Sequence, residues 1–147
     1  MMNRVAIPFL FAITCSQLSA QSILEINWEA CNSYQAADKA LNQVYNQILR
    51  ARVADKNFVD AFKAAERAWL VFRDADYKAV YPDPDLLLAY GHLHASCRCS
   101  LLEEMTRERT KELRKRWIKG TGEDDACAGS SARHPENQSR QTPKRKQ

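Results

Sequence analysis

From Pro8 to Pro82 the chain contains no glycine and no other proline, a long interval without the residues that most often punctuate structure. Within it the apolar positions follow the helical period. Trp28, Cys31, Tyr34, Leu41, Tyr45 and Ile48 recur at steps of three, four or seven, which predicts one face of a first helix. Phe58, Phe62, Ala65, Trp69 and Phe72 predict a second. The polar stretch from Ala54 to Asn57 is the expected turn between them, with Asn57 or Asp60 as cap. Two prolines and two aspartates in Tyr81 to Asp85 form a firm break. A third helix runs from about His94 to Trp117, with Leu101, Leu102, Met105, Leu113 and Trp117 as its apolar contribution and Gly120 as its stop. Short connections make sequential helices antiparallel, so the expected fold is all-α, a small up-down-up bundle of three main helices.

Composition changes this picture at both ends. Residues 1–20 read as a signal peptide: Arg4 supplies the charge, Val5 to Thr14 a short apolar run, and small residues precede Gln21. Thr14 before Cys15 fits a lipidation site poorly, so cleavage after Ala20 is the expectation. The run is too short to span a bilayer, and no later stretch approaches the required length of about 20 apolar residues. The chain is therefore expected to be exported, periplasmic or secreted. From Thr121 onward no Leu, Ile, Val, Met or aromatic residue occurs, so residues 120–147 read as a disordered tail ending in Lys144 to Lys146. Residues 21–119 remain as one helical domain.

Export bears on the octet His92 to Cys99, which holds two histidines and two cysteines. After cleavage four cysteines remain, Cys31, Cys97, Cys99 and Cys127, and an even count outside the cytoplasm favours disulfides. On a helix His94 and Cys97 share a face, but Cys97 and Cys99 diverge by about 200°. A metal site is accordingly the weaker reading, and no metal or cofactor is expected. His92 and His94 read as exposed loop residues.

Three segments, Tyr34 to Leu49, Ala65 to Asp76 and Met105 to Leu113, resemble the signatures of the LprI-type lysozyme inhibitor domain family. The matching positions are Ala37, Asp38, Leu41, Asn42 and Tyr45, then Trp69, Phe72, Arg73 and Asp74, then Thr106, Arg109, Thr110 and Leu113. The resemblance covers residues 28 to 117 and implies a secreted helical domain that binds and blocks a lysozyme. Where the family usually has a cysteine after the Arg-Asp pair, this chain has Tyr77, so a family disulfide through that position does not carry over.

Bundle geometry offers a replacement. With the first turn centred near Asp55, Cys31 and Tyr77 sit at nearly the same height, and the third helix starts at this end. Cys97 and Cys99 are then the reachable partners of Cys31, and the leftover cysteine pairs with Cys127 or stays free. The same register predicts an Arg73–Asp38 ion pair, joined by Arg109, with Asn42 and Tyr45 as inter-helix hydrogen-bonding groups.

The whole chain carries 22 Lys and Arg against 18 Asp and Glu, a net charge of +4, but their placement is uneven. Glu25, Glu29, Asp74, Asp76, Asp83 and Asp85 gather at one end of the bundle, and Arg50, Arg52, Lys56, Arg114, Lys115, Arg116 and Lys119 at the other. Such placement complements helix dipoles. It also gives an acidic end, Asp74, Asp76, Tyr81, Asp83 and Asp85, suited to a basic protein such as lysozyme. The alternative is a non-catalytic envelope binding or adaptor module whose basic end and tail touch anionic envelope polymers. Three histidines, no Gly-rich phosphate loop and no motif with catalytic spacing argue against an enzyme. Export argues against a nucleic-acid partner.

Overall fold

The computed structural model describes residues 14–120 and 127–132. These are almost wholly helical and contain no strand. Helix α1 spans Thr14–Ala51, α2 Lys56–Val80, the short α3 Leu86–Tyr90 and α4 His94–Leu113; α4 continues into a π-helical turn, Arg114–Lys119. Thr14–Ala20, the last part of the expected signal peptide, forms the start of α1, and residues 1–13 lie outside the described residues. Gly120 ends the π turn with φ 76°, a backbone conformation that favours glycine. Most of the expected tail also lies outside the described residues. Within it, Gly129–Ala132 form a 3-10 turn, Ser131 is buried, and the Ser130 carbonyl accepts a hydrogen bond from Arg52.

Asp55 caps α2, its carboxylate accepting the Phe58 N–H at 3.1 Å. The core sits toward this turn: Leu41, Val44 and Ile48 of α1, Phe58 and Phe62 of α2, and Leu113 of α4, flanked by Tyr45, Leu49, Val59, Trp69, Trp117 and Ile118. Phe62 stacks on Tyr45 and Phe58 at 5.5 Å, and Trp117 meets Phe58 edge-on at 5.0 Å. Helix α1 runs antiparallel to α2 and parallel to α4. The α1–α4 seam carries small residues, Ala37, Ser96, Cys99, Thr106 and Thr110, which let the two backbones approach closely. Cys31 and Cys99 form a disulfide across it, with Cα atoms 4.9 Å apart, so Cys99 is the bridging partner and Cys97 forms no disulfide. Thr106 is completely buried and its hydroxyl is without a hydrogen-bond partner among the described residues.

Several expectations are corrected. Trp28 is 68% exposed and Phe72 59% exposed, so neither belongs to the core. Each three-residue step falls about 60° short of a full turn, and the two successive threes from Trp28 to Tyr34 rotate Trp28 off the buried face, whereas Phe72 lies beyond the core cluster, which ends on α2 at Trp69. The turn midpoint lies between Val53 and Ala54, not at Asp55, because α1 ends at Ala51 and α2 begins at Lys56. That shift puts Tyr34, not Asp38, level with Arg73. Arg73 accordingly donates to the Tyr34 hydroxyl at 3.3 Å and pairs with its neighbour Asp74 at 2.8 Å. Asp38 instead accepts from the Asn42 amide at 2.9 Å within α1. Among the described residues Asn42 thus bonds within α1, and Tyr45 meets α2 through its ring. Arg109 pairs with the buried Glu66 of α2 and with Glu112, not with the Arg73 group. Burial disfavours the Arg109 charge, but the hydrogen bonds it donates to both carboxylates, with their negative charge, outweigh it and hold its pKa above the ordinary value.

Candidate functional site

The end of the bundle that carries the disulfide is built by four chain segments. Helix α2 finishes at Val80 and is capped by Tyr81, whose N–H donates to the Tyr77 carbonyl at 3.0 Å, because Pro82 and Pro84 forbid continuation. Asp83 and Asp85 organise the next turn. The Asp83 carboxylate accepts the Asp85 N–H at 2.8 Å, and Asp85 caps α3 by accepting the Leu88 N–H at 3.0 Å. Each uses one carboxylate oxygen for this purpose, so the acidic loop is held by its own acids while both residues remain exposed.

Tyr81 turns inward from this loop. Its ring meets His94 edge-on at 4.8 Å and Tyr90 at 5.1 Å, while Tyr77 hydrogen-bonds His94 Nε2 at 3.1 Å. Arg98 lies over the Tyr77 ring at 5.5 Å. Burial, followed by the neighbouring Cys97, Tyr77 and Tyr90, raises the Tyr81 phenol above its ordinary 10.0. His94 is thus a half-buried member of an aromatic cluster rather than an exposed loop residue; His92 is exposed. Among the described residues no three His, Cys, Asp or Glu side chains are grouped to hold a metal ion.

The start of α4 has no side-chain cap of its own. Asn27 of α1 supplies one from outside: its Oδ1 accepts the Ser96 N–H at 2.9 Å, and its Nδ2 donates to the His92 carbonyl at 3.0 Å. This clamp and the Cys31–Cys99 bridge fix α4 against α1 at the acidic end. One step further along the seam Ser33 donates to Glu103 at 2.7 Å; that bond, with Arg107, lowers the Glu103 pKa.

The structure thus brings Tyr81, Asp83 and Asp85 together on one rim. Asp74, exposed beside Arg73, and the half-buried Asp76 lie further down α2. Beside the acidic loop α3 and its exit leave Leu87, Leu88 and Leu93 exposed, Leu88 at 84%. Sequence reasoning missed these leucines, Asn27 and Tyr90. The run Leu86 to Leu88 directly after the proline break was the available signal for the leucines; Asn27 had none, since its partners lie more than sixty residues away.

A family model described as "Lysozyme inhibitor LprI" matches residues 15–113, which takes in α1 to α4. An uncharacterized protein of Rhizobium meliloti (strain 1021) is 32% identical over 111 residues, covering 65% of this chain and 73% of the relative. No solved structure matches. The three signature segments, the helical bundle that carries them and the extent of the family match together make this chain a member of the LprI lysozyme inhibitor family.

Proposed function

We propose that this protein is exported and acts by binding and blocking a lysozyme, without chemistry of its own. The family match across the whole bundle carries this reading. A disulfide joining α1 to α4 supports an oxidising compartment. The acidic end supplies the contact: Asp83, Asp85, Asp74 and Asp76 offer charge to a basic enzyme, and Leu87, Leu88 and Leu93 offer apolar area beside it. The turn is held by its own carboxylates and by the tyrosine–histidine cluster, so little ordering entropy is lost on association.

The test is a titration of the oxidised protein into c-type lysozymes degrading a cell-wall suspension at two salt concentrations. The expected result is saturable loss of activity near stoichiometric ratios. Asp83→Lys with Leu88→Asp should weaken it, whereas Asp85 is left intact because it caps α3. Full retention of inhibition in that variant would remove the loop from the contact. Activity unchanged across a panel of lysozymes would refute the inhibitor reading and favour an envelope binding module.

A further inference from the structure

The first family signature packs α1 on α2 through Leu41 and Tyr45, but the hydrogen bonds of its Asp38 and Asn42 stay within α1. Asp38, Leu41, Asn42 and Tyr45 line an open groove of about 280 Å³ between these helices, opposite Lys63, Glu66, Arg67, Trp69 and Leu70. The two walls differ in chemistry. On α1, the Asn42 amide donates to the Asp38 carboxylate at 2.9 Å and to the Asp38 carbonyl at 3.0 Å, so the pair presents acceptors to the groove, with the Tyr45 hydroxyl one turn further on. On α2, Lys63 and Arg67 stand four residues apart, and neither has a carboxylate partner among the described residues. Two like charges at this spacing repel each other on a helix. Of the two acids three residues from Lys63 on its own helix, Glu66 is committed to Arg109 and Asp60 forms no ion pair with Lys63 among the described residues. Between the walls the floor is apolar, from Leu41 and Leu70 to the ring of Trp69, which the guanidinium groups of Arg73 and Arg109 hold in place.

We infer that this groove binds a carboxylated sugar. A carboxylate answers the unpaired Lys63 and Arg67, the latter able to grip it with two donors. Ring hydroxyl groups donate to the acceptors of the Asp38–Asn42 pair, and the apolar face of a pyranose covers Leu41, Leu70 and the edge of Trp69. A volume of about 280 Å³ is of the order of one sugar ring, and the mixture of apolar floor and few convergent polar groups is that of a small-molecule site. This inference stands apart from the lysozyme reading, because the groove lies away from the acidic loop and its ligand is a saccharide.

The experiment is a nuclear magnetic resonance titration of the oxidised, isotope-labelled full chain with N-acetylmuramic acid, N-acetylglucosamine and lactate. These present, respectively, the acidic sugar, the same ring without the carboxylate, and the carboxylate without the ring. The acidic sugar should shift the Asn42 side-chain amide and the Trp69 indole saturably, and the neutral sugar should bind about tenfold more weakly. Lys63→Gln with Arg67→Gln, surface changes that leave the core untouched, should remove that tenfold advantage without altering binding of the neutral sugar. No shift at Asn42 and Trp69, equal binding of the two sugars, or an unaffected double variant would overturn the assignment. So would lactate acting as strongly as the sugar, which would mark a simple anion site.

Discussion

The two ends of the bundle are held by different physics. Around the α1–α2 turn, Ile48, Phe58, Phe62 and Leu113 bury large apolar side chains against Trp117, and close packing does the work. Beyond Leu102, no large aliphatic side chain among the described residues is buried at the acidic end; a disulfide, an asparagine clamp and a group of tyrosines around His94 take its place. The contrast teaches that a short bundle need not extend its core along its whole length. One end is held by side-chain packing, and the other is pinned so that a loop with exposed acids and leucines keeps its shape.

Breaking the pin should have the largest effect. Replacing Cys31 and Cys99 by Ser releases a constraint spanning 68 residues, and chain-entropy reasoning gives a loss of about 4 kcal/mol. Hydrogen exchange should then show α3 and the start of α4 opening before the rest; uniform loss of protection would mean that the two ends are one unit. Ile48→Ala, at a position only 2% exposed, should cost about 3 kcal/mol and lower protection everywhere together. Asn27→Ala should cost about 1 kcal/mol, read by denaturant unfolding, with exchange accelerated at Ser96 and not at the core.

The smallest effect is on pH dependence. The Ser33 hydroxyl and then Arg107 lower the Glu103 pKa in the folded protein, so its contribution to stability is present above the ordinary value of 4.5 and is lost as pH falls through the lowered folded value. Glu103→Gln should flatten this acid-side slope. An unchanged slope would locate the acid sensitivity elsewhere.

The same contrast explains what the sequence could convey. Helical periodicity and the Pro82 and Pro84 break are local signals, and they sufficed for three helices, for Gly120 as a stop and for narrowing the partner of Cys31 to two cysteines. Helical phase made the choice between them, since Cys99 faces the seam and Cys97 the tyrosines. The Arg73 partner was lost by placing the turn midpoint one to two residues late, enough to exchange Tyr34 for Asp38. Glu66 gave no sign of being Arg109's partner, because a single glutamate in a charged helix looks solvated until a neighbouring helix covers it. The α1–α2 groove was missed because Asp38, Asn42 and Tyr45 read as groups that bond across to neighbouring helices, while Lys63 and Arg67 read as ordinary surface charges with no role.

The bridge joins the first long helix to the last, so oxidation reads the rotation of α4. Cys97 and Cys99 point about 200° apart on that helix, and joining Cys31 to Cys97 would require turning α4 by roughly half a revolution. Leu102, Thr106 and Leu113 would then face water. A chain that has docked α4 correctly offers the right thiol, whereas one oxidised too early risks sealing the wrong isomer. The free energy gap between the two isomers is supplied by packing, and isomerase-assisted exchange would let the chain use that gap to correct the error.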